Sequence, residues 1–521
     1  AFALGQLHAG GQLVDPTERL MEAATAAGLL YDEAKVTIKS GFDDGFKDPR
    51  SAPVKNNMVR PVAPPTEEEP GFTDSGNALR LVKLFDGNHR FSRQIDKWLS
   101  WDKTHWKIDS EDDVIEEAKK LSNLLHDMVS SQSTEAAKNE MSKHARKCAS
   151  LTSIKAMVSL VKSDARVAIK LEEFDAKPYL FNVPEGTIDL RTGKLKPHDR
   201  EDFITKLSPV SYDPDAKCPN WLRFQEQITP DEDVRRYKQK VFAYTFMGDP
   251  VERKFFLAYG KGANGKTTEH RTLEYIAGDY AKSTDFTAFT GKYKAGQANP
   301  DILALRGARF VPTGEAEVGE KFSSALLKKV TGGDTLSVRG LYKDPVNFRA
   351  NFVIWMATNY LPQVSDNSDG FWDRCTPIPY TTKIAKKDRD KHLFEKLQDE
   401  ASGILTWIIE GGIAYAKEQL EPVPKLISDE TDDYREQQDT LGRFTLECFV
   451  QDDDHYETTE TVRQAYVRWC KQNGEFPWGV KIFAQQLRGN GWVKRKRTYD
   501  YIWLGYRLKP ELQAKADDGW A

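Results

Sequence analysis

A glycine-rich loop that joins an apolar run to a helical pattern constrains this chain more than any other feature. Residues 254–268 spell KFFLAYGKGANGKTT, and the stretch from Gly260 to Thr267 fits the spacing of Gly, four residues, Gly-Lys-Ser/Thr. Glycines let the backbone curl so that its N–H groups point at phosphate oxygens, and the positive end of the next helix adds to this attraction. A chance match in a flexible loop is the alternative. The strand-like run before the loop and the helix after it favour a nucleotide site.

Individual loop residues have separate tasks in this prediction. We expect the Lys266 ammonium to neutralise the β- and γ-phosphates and the Thr267 hydroxyl to complete a Mg²⁺ shell. The residues expected to contact the nucleotide are Gly260, Lys261, Gly262, Ala263, Asn264, Gly265, Lys266, Thr267 and Thr268.

Composition favours a protein of several domains and excludes a membrane-spanning one. The chain has 521 residues, of which 39% are apolar and 30% charged, which suits packed cores with much solvated surface. No window approaches the ~18 consecutive apolar residues that span a bilayer. The five cysteines lie far apart without a CxxC pair, which favours a reducing, intracellular setting. Because the net charge is only −4, binding to nucleic acid would require a local concentration of basic residues.

The first 215 residues alternate between helical, extended and strand-like patterns. Residues 15–40 carry a helical pattern, and a Pro-rich stretch over residues 49–70 predicts an extended linker. Residues 97–106 predict two short strands, residues 112–162 predict long helices, and residues 180–199 predict small antiparallel strands. The tryptophans of KWLSWDKTHW could stack on bases, but aromatic residues at this spacing are more typical of a core.

Residues 216 to about 420 alternate apolar strands with helices, which indicates a largely parallel sheet flanked by helices. One of these strands, in ARFVPTGEAE, ends in two carboxylates that suit Mg²⁺ binding and water activation, Glu315 and Glu317. Both point to the same side if the backbone is extended. Pro312 suits a central strand poorly, so we expect the strand to end near Val311. A solvated acidic strand end is the alternative.

A second apolar run, NFVIWMATN over residues 351–359, is typical of a strand buried on both faces. Asn359 lies at its carboxyl end, where open α/β sheets place groups that contact ligands. Its amide could donate to the γ-phosphate or orient the attacking water. Asn is also a common turn residue, and position alone leaves the two roles equally open.

Between these strands, residues 326–352 predict a hairpin with a basic, aromatic tip. Arg339, Lys343 and Arg349 would add charge for phosphate contacts, and Tyr342 offers a stacking surface. A solvated hairpin is the alternative. Further on, DGFWDRCTPIPY places Arg374 after a sharp turn, where it could stabilise charge on a transferring phosphoryl group or could pair with Asp369 or Asp373.

The last segment has the pattern of a winged helix. Val462, Ala465, Tyr466 and Trp469 form one helical face, a second helix follows, and GNGWVKRKRTYDYIWLGYRL predicts a turn and two strands. The four consecutive basic residues of this wing are Lys494, Arg495, Lys496 and Arg497. They suit a phosphate clamp, while a wing that docks on protein is the alternative.

These segments, in this order, resemble a superfamily 3 helicase, and most closely the primase-helicases of phages, plasmids and poxviruses. The likeness rests on GKGANGKT, GEAE, KKVTGGD with VRGLYKDP, MATNYLP and DGFWDRCTPIPY. It extends upstream through KWLSWDKTHW and GTIDLRTGKL, and LMEAATAAGLLYDEAKVTIKSG resembles the tail of a primase-polymerase region. The fold class that it implies is α/β: an AAA+-like phosphate-loop ATPase domain, a mixed α/β domain before it and a winged-helix domain after it.

The resemblance implies a ring, usually a hexamer, that hydrolyses ATP with Mg²⁺ at subunit interfaces while it moves along single-stranded or forked DNA. The implied catalytic residues are Lys266, Glu315, Glu317, Asn359 and Arg374, with Thr267 and Glu315 at the metal. The implied DNA contacts are Lys328, Arg339, Tyr342, Lys343 and the basic run Lys494 to Arg497.

The resemblance also divides the chain. The predicted parts are a primase-polymerase tail at 1–48, a linker at 49–71, a helicase-associated domain at 72–215, the ATPase domain at 216–424 and a winged-helix DNA-binding domain at 425–521. We expect an upstream primase-polymerase domain in the full-length protein, no primer synthesis by this segment, no membrane, and a location in the cytoplasm of a bacterial host.

Two other classes of function fit parts of the sequence. A DNA-binding origin-recognition or regulatory protein would use ATP only to assemble on DNA. A small-molecule kinase would also need the glycine-rich loop, but it leaves the basic hairpin and Arg374 without a task.

Overall fold

A computed structural model defines the fold of most of the chain. It describes residues 20, 21, 24, 31–47, 70–110, 112–290, 298–316, 321–339, 346–364 and 366–517. The chain divides into two compact units, Ala1–Asn77 and Ala78–Ala521. Of the predicted linker at 49–71, residues 49–69 lie outside the described residues.

Helices and strands both occur throughout the described part of the chain. The helices up to the glycine-rich loop are α1 (Tyr31–Phe46), α2 (Asp74–Phe85), α3 (Asp113–Asp127), α4 (Glu135–Cys148), α5 (Leu151–Val161), α6 (Pro219–Ile228) and α7 (Glu232–Phe246). Those from the loop onward are α8 (Lys266–Ala277), α9 (Pro300–Ala304), α10 (Ser324–Thr331), α11 (Asp369–Trp372), α12 (Leu393–Asp399), α13 (Ala401–Glu418), α14 (Lys425–Gln438), α15 (Thr440–Cys448), α16 (Thr459–Gln472), α17 (Val480–Gly489) and α18 (Pro510–Asp517).

The strands that the structure describes form five separate small sheets. The first nine strands are β1 (His89–Ser92), β2 (Lys97–Trp101), β3 (Trp106–Ile108), β4 (Leu180–Val183), β5 (Gly186–Asp189), β6 (Lys194–Lys196), β7 (Phe255–Tyr259), β8 (Phe310–Thr313) and β9 (Thr335–Val338). The remaining strands are β10 (Val346–Arg349), β11 (Val353–Thr358), β12 (Cys375–Pro379), β13 (Phe449–Thr458), β14 (Val493–Lys496) and β15 (Tyr501–Leu508).

A parallel sheet of four strands, in the order β12-β7-β11-β8, organises the middle of the chain. Side chains that alternate along its strands enter two different cores. Phe256 and Trp355 pack into the core on one face, and Phe255 and Leu257 pack into the core on the other. Because both faces are covered, these strands are almost continuously apolar, as the sequence predicted.

The acidic strand is longer than its sequence suggested. The predicted end near Val311 is wrong, because β8 runs through Pro312 to Thr313, and Pro312 lies opposite Trp355 of β11. The error has a physical reason: β8 is the last strand of the sheet rather than a central one. An edge strand tolerates a residue that has no N–H to donate.

The predicted short strands and helices before the parallel sheet are confirmed. β1, β2 and β3 form one antiparallel sheet, and β4, β5 and β6 form another. Trp106 is 1% exposed and stacks on Phe203, while Trp98 packs against Phe85 and Phe91. The tryptophans therefore serve the core. None of the helices that the structure describes combines the length and apolar character needed to cross a bilayer.

The C-terminal region contains helices packed on a three-stranded antiparallel sheet. Its elements follow in the order α15, β13, α16, α17, β14 and β15, and the sheet order is β13-β15-β14. All four predicted face residues of α16 are buried: Val462, Ala465, Tyr466 and Trp469. They share a core with Phe483 and Trp503, which joins the two helices to the β14–β15 hairpin.

Candidate functional site

The glycine-rich loop leaves β7 at the carboxyl edge of the parallel sheet and ends where α8 begins at Lys266. Gly260, Ala263 and Gly265 have positive φ angles of 152°, 67° and 89°. A Cβ atom on Gly265 would lie 2.5 Å from Ile228 and 2.9 Å from Phe224 of α6. The backbone therefore requires glycine at 265, both for its dihedral angle and for the close approach of α6.

Neighbouring elements hold this loop on two sides. The Gly260 N–H donates to the carbonyl of Thr358 at the end of β11, at 3.2 Å. On the other side, the buried Asn264 amide donates to the Tyr380 carbonyl at 3.2 Å, and the Ile384 N–H donates to the Ala263 carbonyl at 2.9 Å. The segment after β12 thus fixes the loop together with β11.

Lys266 turns its side chain into the loop. Its Nζ donates to the carbonyl of Gly260 at 2.5 Å, and the residue is only 3% exposed. Burial lowers the pKa of Lys266 from its ordinary value, and the nearby Glu315 carboxylate opposes this shift. The Lys266 side chain therefore lies at the centre of the loop, within electrostatic reach of Glu315.

Glu315 and Asn359 meet at the same edge of the sheet. Asn359 follows β11 and Glu315 follows β8, and these strands are parallel neighbours. The Asn359 Nδ2 donates to Glu315 Oε2 at 2.9 Å, while the Asn359 Oδ1 is buried and has no hydrogen-bond partner among the described residues. This contact brings the predicted acidic and polar residues together beside Lys266. Glu317 lies outside the described residues.

The predicted metal ligands come from two sides of this edge. The Thr267 side chain is exposed in the first turn of α8, and Glu315 is exposed after β8. Within the described part of the chain, no group of three or more His, Cys, Asp or Glu residues could hold a metal ion by itself. Mg²⁺ commonly uses one or two protein groups and takes its other ligands from phosphates and water, so the two predicted residues suit that mode.

Arg374 lies at the amino ends of the strands, opposite to the carboxyl edge that carries the glycine-rich loop. It directly precedes β12, and its carbonyl accepts the Phe255 N–H at the amino end of β7, at 2.9 Å. At ~3.3 Å per strand residue, about 13 Å of β7 separates this end from Tyr259 and the loop. The Arg374 Nη1 donates to the Gly370 carbonyl, and Asp369 pairs instead with Arg435 at 2.6 Å. Arg374 is therefore not brought to the Lys266 site within one chain.

The candidate DNA-binding residues near the sheet are only partly described. Lys328 on α10 pairs with Asp366 at 2.6 Å and donates to the Ser368 hydroxyl at 2.7 Å. Arg339 is exposed at the end of β9, which pairs with β10 as the predicted antiparallel hairpin. Tyr342 and Lys343 at the hairpin tip lie outside the described residues.

The basic run on the C-terminal hairpin is largely exposed. Lys494 lies 4.7 Å from the centre of the Tyr501 ring, and Arg497 donates to the Tyr456 hydroxyl at 2.7 Å. Arg495 and Lys496 are exposed on β14. The run therefore presents cations beside aromatic rings on one hairpin.

Two residues that support the loop escaped prediction from the sequence. Lys238 of α7 and Glu269 of α8 form an ion pair at 2.7 Å in which both side chains are fully buried. Glu269 also accepts hydrogen bonds from Gln225 and Tyr380. The one available signal was a charged residue on the apolar face of α8, which is rare in a core unless the charge has a partner.

The fold and the site together define a mixed α/β protein whose parallel sheet carries a glycine-rich loop, a lysine, a glutamate and an asparagine at its carboxyl edge. Residues 78–230 match the family model described as "D5 N terminal like". This match and the viral relatives below support the D5-type primase-helicase family, which confirms the family that the motifs resemble.

The relatives come from large DNA viruses. The chain is 28% identical over 306 residues to L207/L206 of Acanthamoeba polyphaga mimivirus, named as a candidate helicase, which covers 54% of this chain and 32% of that protein. It is 26% identical over 348 residues to 022R of Frog virus 3 (isolate Goorha), also named as a candidate helicase, which covers 63% and 34%. It is 24% identical over 331 residues to C962R of African swine fever virus (isolate Tick/Malawi/Lil 20-1/1983), named as a candidate primase, which covers 58% and 34%. The chain thus spans about a third of the length of these curated relatives.

Among solved structures, the NrS-1 C-terminal region is similar to this chain. Its A form without ligand covers 82% of this chain and 98% of that one, with a TM-score of 0.42 and 11% identity. A second structure of the same region, residues 305–718, has a TM-score of 0.42 and 12% identity, and covers 82% and 99%.

Proposed function

We propose that this chain is the motor of an ATP-dependent DNA helicase, in which AAA+-like domains hydrolyse ATP within a ring. The observation that carries the proposal is the convergence of Lys266, Glu315 and Asn359 at one edge of a parallel sheet, beside a loop of the phosphate-binding pattern. The names of the relatives, helicase and primase, support DNA as the substrate.

The residues present fit ATP with Mg²⁺. A Cβ atom on Gly260 would lie 2.3 Å from the Tyr380 carbonyl and 2.7 Å from the Asn264 amide, so the loop keeps the bare backbone that a phosphate cradle needs. The N-terminus of α8 starts directly behind it and favours an anion. ATP contains the phosphoanhydride bond that is hydrolysed, and a bound Mg²⁺ would neutralise charge on its phosphate oxygens.

Each residue then has one task. Lys266 exchanges its hydrogen bond to the Gly260 carbonyl for phosphate oxygens and neutralises their charge. Thr267 and Glu315 would hold the metal, and Asn359 orients Glu315 through their hydrogen bond. Glu315 or Glu317 accepts the proton of the attacking water.

A complete site requires a second copy of the chain in this proposal. Arg374 lies about 13 Å along β7 from the loop of its own chain, at the opposite edge of the sheet. An arginine at this edge suits a finger that reaches the phosphates of a neighbouring subunit. A ring, such as a hexamer, satisfies every site in this way because its contacts repeat head to tail.

DNA contacts follow from the charges outside this site. The β9–β10 hairpin would direct Arg339, Tyr342 and Lys343 into the channel of the ring, and Lys328 would support the hairpin base through α10. The C-terminal region, with its helix pair and hairpin, fits a winged helix whose exposed Arg495 and Lys496 bind backbone phosphates.

The experiment compares ATP hydrolysis and strand separation on forked DNA for the wild-type chain, Lys266→Ala and a chain without residues 427–521. We expect hydrolysis that single-stranded DNA stimulates, its loss in Lys266→Ala, and residual channel-dependent DNA binding after the truncation. Hydrolysis without DNA stimulation or strand separation would contradict the proposal. Complete loss of DNA binding after the truncation would favour an ATP-dependent regulator that assembles on DNA without unwinding it.

A further inference from the structure

A cavity of about 460 Å³ in the region before the parallel sheet has a lining rich in arginine. Its walls are the end of α2, the turn that leads into β1, residues 166–167 and residues 200–201. Burial lowers the pKa of His89 in this lining, which favours the neutral imidazole. The lining also has four cationic and two anionic side chains: Lys83, Arg90, Arg166 and Arg200, with Asp86 and Glu201.

Arg90 is held in place by aromatic rings and backbone carbonyls. Its guanidinium lies 5.2 Å from the centre of the Trp106 ring and 5.7 Å from that of Phe203. Its Nη1 donates to the carbonyls of Gly87 and His89 at 2.8 Å and 3.1 Å, and no carboxylate of a described residue lies within ion-pairing distance of it. Because a partly buried charge normally has a partner, this fixed guanidinium suits an anionic ligand.

The same turn also holds Arg200. The Nη1 of Arg200 donates to the Asp86 carbonyl and to the Asn88 Oδ1, the latter at 3.1 Å. A Cβ atom on Gly87, where φ is 77°, would lie 3.2 Å from the Arg200 Cζ, so the guanidinium packs directly on the bare backbone of the turn. The turn thus anchors two guanidiniums through one nitrogen of each, and a guanidinium has further N–H groups with which to bind an anion.

We propose that this cavity binds a phosphate group of a nucleotide, carried either by a DNA strand or by a free mononucleotide. Guanidinium groups match phosphate oxygens with two parallel hydrogen bonds, and groups that the fold already holds lose little freedom on binding. The volume falls within the range of about 300–1,000 Å³ that is common for small-ligand sites.

This site is separate from the candidate ATP site. Its lining lies within residues 82–201, whereas the glycine-rich loop begins at Gly260. The whole lining also lies within residues 78–230, the segment that matches the D5 N-terminal family model. The proposal therefore goes beyond ATP hydrolysis and gives this segment a ligand of its own.

The test is an equilibrium titration of the complete chain, without ATP, with two probes: an oligo(dT) strand of ~12 nucleotides and thymidine 5′-monophosphate. Arg90→Gln should raise the Kd by ~10-fold or more for at least one probe, and the probe that responds identifies the source of the phosphate. If it is the strand, the slope of log Kd against log salt concentration should also become shallower by ~0.7, as expected for one lost phosphate contact. Arg191→Gln is the matched control, because Arg191 is exposed, pairs with Asp189 at 2.7 Å and lies outside the cavity lining.

Glu201→Gln tests the site in the opposite direction. The Glu201 side chain is 59% exposed and lies 3.5 Å from the Arg200 Nε, so its replacement leaves the core intact and removes a competing anion. It should lower the Kd for the responding probe by ~3-fold. If circular dichroism shows that Arg90→Gln is unfolded, Glu201→Gln decides alone, and an unchanged Kd for both probes would then overturn the inference.

A folded Arg90→Gln that binds both probes as the Arg191→Gln control does would also overturn the inference. The two proposals fail separately, because Lys266 is not part of this cavity lining. Full ATP hydrolysis by Lys266→Ala would refute the proposed function and leave the phosphate site intact.

Discussion

The ammonium of Lys238 donates a hydrogen bond of 2.7 Å to the carboxylate of Glu269, and neither side chain is exposed to solvent. The pair joins α7 to the first turn of α8, directly behind Lys266. Tyr380 contacts the same carboxylate and accepts the Asn264 amide with its carbonyl, so the pair also reaches the glycine-rich loop.

Lys238→Met should therefore destabilise the protein strongly. It leaves the Glu269 carboxylate buried without its cation, which costs about 3–5 kcal/mol in comparable buried pairs. Urea unfolding measures the change in the free energy of unfolding. Lys238→Met combined with Glu269→Gln serves as the control and should recover most of the loss, because no charge then stays buried. Equal losses in the single and double variants would contradict this account.

Asn359→Ala should lower the ATP turnover rate by ~10²-fold while the KM for ATP changes little, because the hydrogen bond that orients Glu315 is lost. Asn359→Asp should be at least as inactive, since it places a second carboxylate against Glu315. Steady-state hydrolysis assays measure both effects. Asn351→Ala is the matched control: Asn351 is exposed just before β11, away from the loop, and its replacement should leave turnover unchanged. A turnover rate in Asn359→Ala equal to that of the control would refute the role of the asparagine.

Arg374→Ala and Lys266→Ala should restore each other's activity when they are mixed. Each variant alone should lose ~10²–10³-fold in hydrolysis, since each lacks one half of every shared site. In an equimolar mixture, roughly a quarter of the interfaces would combine an intact Lys266 with an intact Arg374 if copies assemble at random. Hydrolysis by the mixture measures this recovery. The control is a chain that carries both changes, which should not raise the activity of either single variant when mixed with it. A mixture of the two single variants that is no more active than its better component would argue against a shared site.

The fold should lose stability as the pH falls from about 6.5 to about 4, in part because of His270. Burial lowers the pKa of His270 to about 4, and its Nε2 has no hydrogen-bond partner among the described residues. In this window the unfolded chain binds a proton at residue 270 that the folded chain does not, so unfolding becomes easier by up to ~1.4 kcal/mol per pH unit. His270→Gln removes the titrating group, and its free energy of unfolding should depend less steeply on pH than that of wild type. Chemical unfolding at several pH values gives the two slopes, and identical slopes would exclude the histidine as a source.

The local elements of the fold could be predicted from the sequence because their signals are local. The apolar runs that became β7 and β11, the hairpin of β9 and β10, and the helix that follows the glycine-rich loop all carry a periodicity or a turn pattern of their own. Pro312 misled the prediction because tolerance of proline depends on the position of a strand in its sheet. Strand order is set by contacts between distant segments, so the residues around Pro312 do not indicate whether their strand is central or at the edge.

The residues of the candidate site also divide into those that could be predicted from the sequence and those that could not. Lys266, Glu315 and Asn359 were predictable because each ends or follows a recognisable element, and parallel strands bring such ends to one edge. The partner of Lys328 was not predictable, since Asp366 lies 38 positions away along the chain and no periodicity links them. The packing of helix α6 against Gly265 was equally unpredictable, because the amphipathic pattern of this helix reports only that one face is buried.

The location of Lys266 and Arg374 at opposite edges of one sheet has a consequence for mixtures with damaged copies. A copy that lacks both residues would spoil two sites of the proposed ring, the one it holds and the one it completes for its neighbour. Defective chains would then have a dominant-negative effect, so the rate of ATP hydrolysis would fall more steeply than the fraction of intact protein. A peptide or small molecule that occupies only the Arg374 edge would inhibit in the same disproportionate manner, without competing with ATP.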